Sequence, residues 1–267
     1  MTRVTERIPN PQSLIPRIGS VADALVAALL APACAACNVI LDDPLSGCVC
    51  RSCWAAIRPI TPPLCDACGD PLPRPADLCS HCLGCEGVVN RSRAVGEYDG
   101  TLREIIHAFK YSGRRSLAGP IASLMRGRGI ELLDEADYVV PVPLHWRREY
   151  HRGFNQAREL ARHLNVPLAD VLVRRRHTRP QVELDADRRY TNVQAAFTLR
   201  KHWLSRSRSI EGAKIVLVDD VSTTGATLEA CAKVLREAGA SAVYTLTAAR
   251  VVTRRRHGQI QSLIPNP

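Results

Sequence analysis

The chain reads as an α/β protein: a parallel sheet with helices on both faces, preceded by a small cysteine-rich module. Three observations predict this. Ten of the eleven cysteines fall between Cys34 and Cys85, a proline-rich stretch with little helical periodicity and too small a core to stand alone. From Val88 onward, short apolar runs alternate with helical stretches, the pattern of a doubly wound sheet. Ile215-Val-Leu-Val218 is apolar without alternation, as expected of a strand covered on both faces of a parallel sheet.

With 267 residues, 46% apolar and 23% charged, the chain is neither a disordered nor a fibrous polymer. No run approaches the roughly 20 apolar residues of a membrane helix. The net charge is +10, but five acids outnumber three arginines between Cys34 and Cys85, so the positive charge belongs to the later part, where a polyanion would dock. The expected divisions are a lead segment (1–33), two zinc ribbons (34–87), an α/β domain (88–250) and a basic tail (251–267) holding Arg254-Arg-Arg256.

In the lead segment, Val21–Ala31 follows Arg17 and ends in Ala31-Pro-Ala-Cys34, which imitates an export signal. Asp23 inside the run, its late start and the Cys34/Cys37 pair weigh against export. The expectation is an amphipathic helix through Val21, Leu25 and Leu29, packed on the folded body. The protein is then cytoplasmic, and in a reducing compartment its cysteines are metal ligands rather than disulfides.

Four Cys-x-x-Cys pairs stand out: Cys34/Cys37, Cys50/Cys53, Cys65/Cys68 and Cys79/Cys82. Each places two thiolates on one side of a tight turn, and two such turns complete a closed tetrahedral Zn²⁺ site with no position open to substrate. Two structural zinc sites follow. The simplest arrangement joins neighbouring pairs; an interleaved one stays open, as do Cys48 in place of Cys50 and roles for His81 and Cys85.

In the α/β part, Leu102, Ile105, Ile106 and Phe109 have the spacing of one buried helix face over Thr101–Tyr111, ended by Gly113. Short strands are expected at 138–140, running into Pro141-Val-Pro143, and at 171–173. Asn155–Leu164 reads as a helix, Ile215–Val218 as a strand, Ala226–Glu237 as a helix stopped by Gly239, and Ala242–Thr247 as the last strand.

Val216-Leu-Val-Asp-Asp-Val-Ser-Thr-Thr-Gly-Ala-Thr227 carries the chemistry. Ligands of open α/β sheets bind beyond the carboxyl ends of the strands. Here Asp219 and Asp220 leave the strand, and Val221-Ser-Thr-Thr-Gly-Ala226 leads into a helix whose first amides suit a phosphate. Two carboxylates would repel that phosphate, so they face something else, and a ribose diol donating to both fits. The predicted ligand is a ribose 5-phosphate group. A structural turn with Thr224 as helix cap is the plainer alternative, but it leaves two acids after a buried strand unexplained. Neither a P-loop nor a dinucleotide glycine fingerprint is present.

This segment resembles the phosphoribosyl diphosphate (PRPP) motif of type I phosphoribosyltransferases. Residues 34–250 resemble one branch of them, the ComF/GntX family associated with competence and DNA utilisation. The resemblance rests on the cysteine array, Tyr98-Asp-Gly-Thr-Leu-Arg103, Phe109-Lys-Tyr-Ser-Gly113, Val140-Pro-Val-Pro143, Arg152-Gly-Phe-Asn-Gln156, Gln181, Arg188, Asn192-Val-Gln-Ala-Ala-Phe197 and the PRPP motif. It implies a type I phosphoribosyltransferase fold and PRPP as ligand, with Mg²⁺, and transfer of ribosyl 5-phosphate to an unidentified nitrogen nucleophile. Asp219 and Asp220 would hold the ribose hydroxyls as the catalytic acids. Thr223, Thr224, Gly225 and Thr227 would cradle the 5-phosphate, and Pro141, Val142, Pro143 and Leu144 would lie where such enzymes bind diphosphate. No residue stands out as general base. The alternative is a non-catalytic PRPP sensor that binds single-stranded DNA and works with DNA-uptake proteins.

His145–Asn155 interleaves Arg147, Arg148 and Arg152 with Trp146, Tyr150 and Phe154. A mobile lid reaching the diphosphate, a nucleic-acid surface and a packed loop with a solvated basic face are the three readings. Arg174-Arg-Arg-His-Thr-Arg179 and Arg188-Arg189 read singly as solvated, and together as non-specific nucleic-acid contact.

Overall fold

A computed structural model describes residues 26, 29–80, 82–84, 87–175, 196–200 and 210–252. Val21, Leu25, His81, Cys85, Gln181, Arg188, Asn192 and the basic tail from Thr253 onward lie outside the described residues.

The main sheet holds β1 (Arg91–Glu97), β2 (Tyr138–Pro141), β5 (Lys214–Ser222) and β6 (Ala242–Arg250). Its order is β1-β6-β5-β2, all parallel. Strands β3 (Leu172–Arg174) and β4 (Phe197–Leu199) form a separate antiparallel pair. The helices are α1 (Arg51–Ala55), α2 (Gly100–Tyr111), α3 (Ala118–Asp134), α4 (Trp146–Arg152), α5 (Gln156–Ala161) and α6 (Ala226–Glu237).

Strand alternation sorts the core into two layers. Val216 and Val218 of β5 join Leu102, Ile106 and Phe109 of α2 and Ile121 and Met125 of α3. Ile215 and Leu217 join Leu228 and Leu235 of α6, with Val171 and Phe197. Helix α2 buries the expected face, and the Asp99 carboxylate accepts from the Gly100 N–H at its start. Helix α6 has the expected bounds. Helix α5 ends at Ala161, before the expected Leu164.

Strand β5 runs four residues past the expected Val218, and β6 three past Thr247. The two strands support each other: Asp219 pairs with Thr247, Val221 with Ala249 and Ser222 with Arg250. A neighbouring ladder overrides the poor strand propensity of aspartate. The acids therefore lie inside the strand rather than after it.

The cysteine-rich part is not self-standing. Cys34, Leu41, Val49 and Cys53 are buried in one core with Val95 and Leu102. Between the two ribbons, Pro59 bridges Gly96, the Ile60 N–H donates to Val95 at 3.4 Å and the Glu97 N–H to Arg58 at 3.1 Å. This pairing covers the otherwise open edge of β1. Leu29 goes the other way: it is 80% exposed, so the expected packing of the lead helix is not made there.

The second ribbon docks just as closely. Gly69 has φ +74°, and a Cβ there would lie 2.5 Å from the backbone oxygen of Ser92. Arg250 reaches from the end of β6 to the Cys68 carbonyl at 2.7 Å and to the Asp70 carboxylate. Gly69→Ala should cost at least about 2 kcal/mol, from the left-handed backbone and the overlap together. A thermal melt of the full chain should show it as a lower Tm; an unchanged Tm would mean that this docking contributes little.

Candidate functional site

Asp219 and Asp220 are consecutive strand residues, so their side chains leave opposite faces of the sheet. Asp220 is buried, 8% exposed, and its Oδ1 lies 2.8 Å from the Lys110 ammonium at the carboxyl end of α2. Burial disfavours the charged lysine, but the Asp220 carboxylate more than offsets this and holds Lys110 above its ordinary value. Asp219 faces the α6 side, within electrostatic reach of Arg174 and the buried Cys231. Its Oδ1 accepts from the Asp220 N–H at 2.8 Å. Burial first, and the Asp220 charge second, push the Asp219 carboxyl up to about 7.

Beyond the strand the chain opens. Thr223 and Thr224 are exposed, while Ser222 is buried with its Oγ making no hydrogen bond among the described residues. Gly225 takes φ +81° at the start of α6, a left-handed turn that glycine adopts without strain. The Ala226 N–H is turned back to Thr224 Oγ1 at 3.4 Å. The result is a hydroxyl-lined turn, exposed at Thr223 and Thr224 among the described residues, leading into a 12-residue helix whose first turn carries partial positive charge.

Pro141 ends β2, which pairs alongside β5, and Val142–Leu144 follows it, so this turn emerges at the same end of the sheet. Asn155 ties this loop down, donating from Nδ2 to the Val142 carbonyl at 3.1 Å. The basic–aromatic stretch, open between a lid, a nucleic-acid surface and a packed loop, contains a helix, α4, capped by the His145 ring accepting from the Arg147 N–H. Arg152 is packed rather than free: it stacks on Tyr111, donates to its hydroxyl at 3.1 Å and to Gln156 at 3.0 Å. Trp146 and Tyr150, one helical turn apart, are 64% and 83% exposed, with Arg147 stacked on Trp146.

The cysteines form two clusters, Cys34/Cys37/Cys50/Cys53 and Cys65/Cys68/Cys79/Cys82, each with all Sγ atoms within 4.8 Å of one another. Neighbouring pairs are thus joined and the interleaved arrangement is excluded; Cys48 belongs to neither cluster. Sulfur separations of 3.8, 3.8 and 3.7 Å match the edge of about 3.8 Å in a tetrahedron with Zn–S of about 2.3 Å. The halves repeat: Cys34 Sγ accepts from Cys50 N–H, and Cys65 Sγ from Cys79 N–H, both at 3.3 Å. Burial pushes Cys34 up, but backbone N–H donors outweigh it and bring the thiol to about 6. At Cys53 burial and the neighbouring sulfurs act together and push the thiol far up. A divalent cation relieves that crowding, so the donor set fits two structural zinc ions.

Comparison with known proteins agrees with this geometry. Residues 25–83 match a double zinc ribbon domain, and residues 151–262 a phosphoribosyl transferase domain. Competence protein F of Haemophilus influenzae is 32% identical over 76% of this chain and 90% of its own. The chain belongs to the competence protein F family. Other members include the DNA utilization protein YhgH of Escherichia coli K12, 33% identical over 73% of this chain and 87% of its own. Competence protein ComFC of Bacillus subtilis is 30% identical over 73% and 80%.

This member of the competence protein F family joins a double zinc ribbon to a type I phosphoribosyltransferase fold. Two site residues escaped the sequence reading. Lys110 was visible only as a member of a family motif, since nothing local links position 110 to position 220. Arg174, expected to be solvated taken singly and a nucleic-acid contact taken together with Arg188-Arg189, is half-buried on the Phe197 ring at 5.2 Å, between Arg148 and Asp219 in charge. Among the described residues no helix is long and apolar enough to cross a membrane.

Proposed function

We propose that this protein binds PRPP with Mg²⁺ at the carboxyl end of β5. Asp219 and Asp220 take the ribose hydroxyls, and Thr223, Thr224, Gly225 and Thr227 receive the 5-phosphate. The observation that carries this reading is the two acids near the carboxyl end of β5, followed within four residues by a hydroxyl-lined turn at the start of α6. Pro141–Leu144, with Arg148 and Arg174 nearby, is the region for the diphosphate. Mg²⁺, held there with the diphosphate, would supply charge neutralisation to the leaving group.

The activity this supports is transfer of ribosyl 5-phosphate to a nitrogen nucleophile, in the cytoplasm and in the service of DNA uptake. Fixed cations at the sheet end would stabilise the departing diphosphate. Exposed Trp146 and Tyr150 beside Arg147 support a second reading: a PRPP sensor that stacks single-stranded nucleic acid on α4 and meets the uptake proteins there.

Calorimetric titration of Mg-PRPP into the full chain tests the pocket. Binding is expected for the parent and a loss of at least about tenfold for Asp219→Ala, equivalent to one lost hydrogen bond to a charged group. Failure of the parent to bind overturns the reading. Diphosphate release across a panel of nucleobases and amines then separates transferase from sensor.

A further inference from the structure

Lys110 is placed where its role is not explained by packing. It is the penultimate residue of α2, and its ammonium lies 2.8 Å from Asp220 Oδ1 with 14% and 11% of the two side chains exposed. Burying such a pair gains little over apolar residues of the same size, so stability alone does not account for it. Ser222 follows two residues along the same face of β5, its buried hydroxyl without a partner among the described residues. An ammonium has three N–H donors and a carboxylate several acceptor positions; one contact leaves both with capacity for a ligand.

Electrostatics sharpen the point. PRPP carries several negative charges, yet it must approach two adjacent carboxylates. The groups whose charges act on Lys110 include Asp220, Asp219 and Tyr98. Those acting on Asp219 include Asp220 and, through the sheet, Lys110, with Arg174 and Cys231 on its own side, and Arg148 acts on Arg174. Arg174 serves the Asp219 face; on the Asp220 face, among the described residues, the counter-charge within ion-pair distance is Lys110.

We propose that Lys110 is a positioning residue of the sugar–phosphate site, supplying the counter-charge that lets Asp220 accept a ribose hydroxyl from a polyanion. This rests on the PRPP reading above. Without the ammonium, the bare Asp220 charge repels the ligand. The repulsion deepens as pH rises, because the Asp219 carboxyl, pushed up to about 7, then ionises beside it.

The test is calorimetry of Mg-PRPP with the full-length parent, Lys110→Gln and Lys110→Arg at pH 6 and pH 8. Glutamine keeps an N–H donor for Asp220 but no charge, and arginine keeps the charge. Lys110→Gln should lose about tenfold or more in affinity at pH 8, one charge contact in size, and distinctly less at pH 6. Lys110→Arg should restore most of the affinity at both. Equal affinity of Lys110→Gln and parent at pH 8 overturns the proposal. So does a loss of the same size at both pH values, or a Lys110→Gln protein that no longer folds, since either marks a structural lysine. If the parent itself takes no Mg-PRPP, the PRPP reading fails, whatever the variants do.

Discussion

Asp219→Asn should make the protein more stable at pH 8 and flatten the pH dependence of that stability, while weakening its hold on PRPP. In the fold this carboxyl titrates near 7, raised from an ordinary 3.8 by burial and then by the Asp220 charge. The folded chain therefore binds the proton more tightly than the unfolded one. Below about pH 3.8 the group is protonated in both states and imposes no penalty. As pH climbs from there through about 7 the stability falls, and above 7 the whole penalty is present. Three pKa units correspond to about 4 kcal/mol, an upper figure for a side chain that is only partly shielded. Asparagine removes the charge yet keeps an oxygen for the Asp220 N–H. Urea melts of parent and variant at pH 5 and pH 8 check this: the difference should be largest at pH 8 and about half that or less at pH 5. A variant no more stable than the parent at pH 8 would show that Asp219 is not strained by its burial. A gain in stability joined to a loss of binding is the signature of a residue kept for its ligand rather than for the fold.

Removing zinc should unfold much more than the ribbons. A structural zinc site contributes about 10–16 kcal/mol of apparent binding energy, against a total stability of about 5–15 kcal/mol for a whole domain. Cys34 and Cys53 belong to the same core as Val95 of β1 and Leu102 of α2, so opening the first site exposes apolar surface of the transferase domain. Metal analysis should return two zinc ions per chain. Chelation should then lower the Tm of the whole protein by more than 10 °C, about 3–5 kcal/mol at this chain length. Cys53→Ser should be worse than Cys82→Ser, because Cys53 is 7% exposed and inside the shared core, whereas Cys82 is partly exposed. If the melt of the transferase domain were unchanged after both ions are stripped, the ribbons would be independent attachments after all.

The elements that could be read in advance are those whose information is local. Four Cys-x-x-Cys turns, the apolar face of α2, the unbroken run in β5 and the bounds of α6 each follow from the spacing of a few neighbouring residues. Helix α3 could not be read so. Its sequence has Pro120 in the first turn and glycines at 119, 127 and 129, and it is held by packing on β6, where Gly129 meets Leu246. The same holds for the ends of β5 and β6, which lengthen only because each offers the other a ladder partner.

For the site, the sequence by itself determined the chemistry: two acids, three threonines and a glycine in one short segment, and eight thiols in paired turns. Which face each acid takes, and what stands opposite it, was decided by tertiary structure alone. Strand alternation sends Asp219 towards Arg174 and Asp220 towards Lys110, partners 45 and 110 residues away in the chain. The physical reason is range. Hydrogen-bonding type and left-handed turns are properties of a residue and its neighbours, whereas burial and counter-charge exist only after distant segments have packed against the sheet.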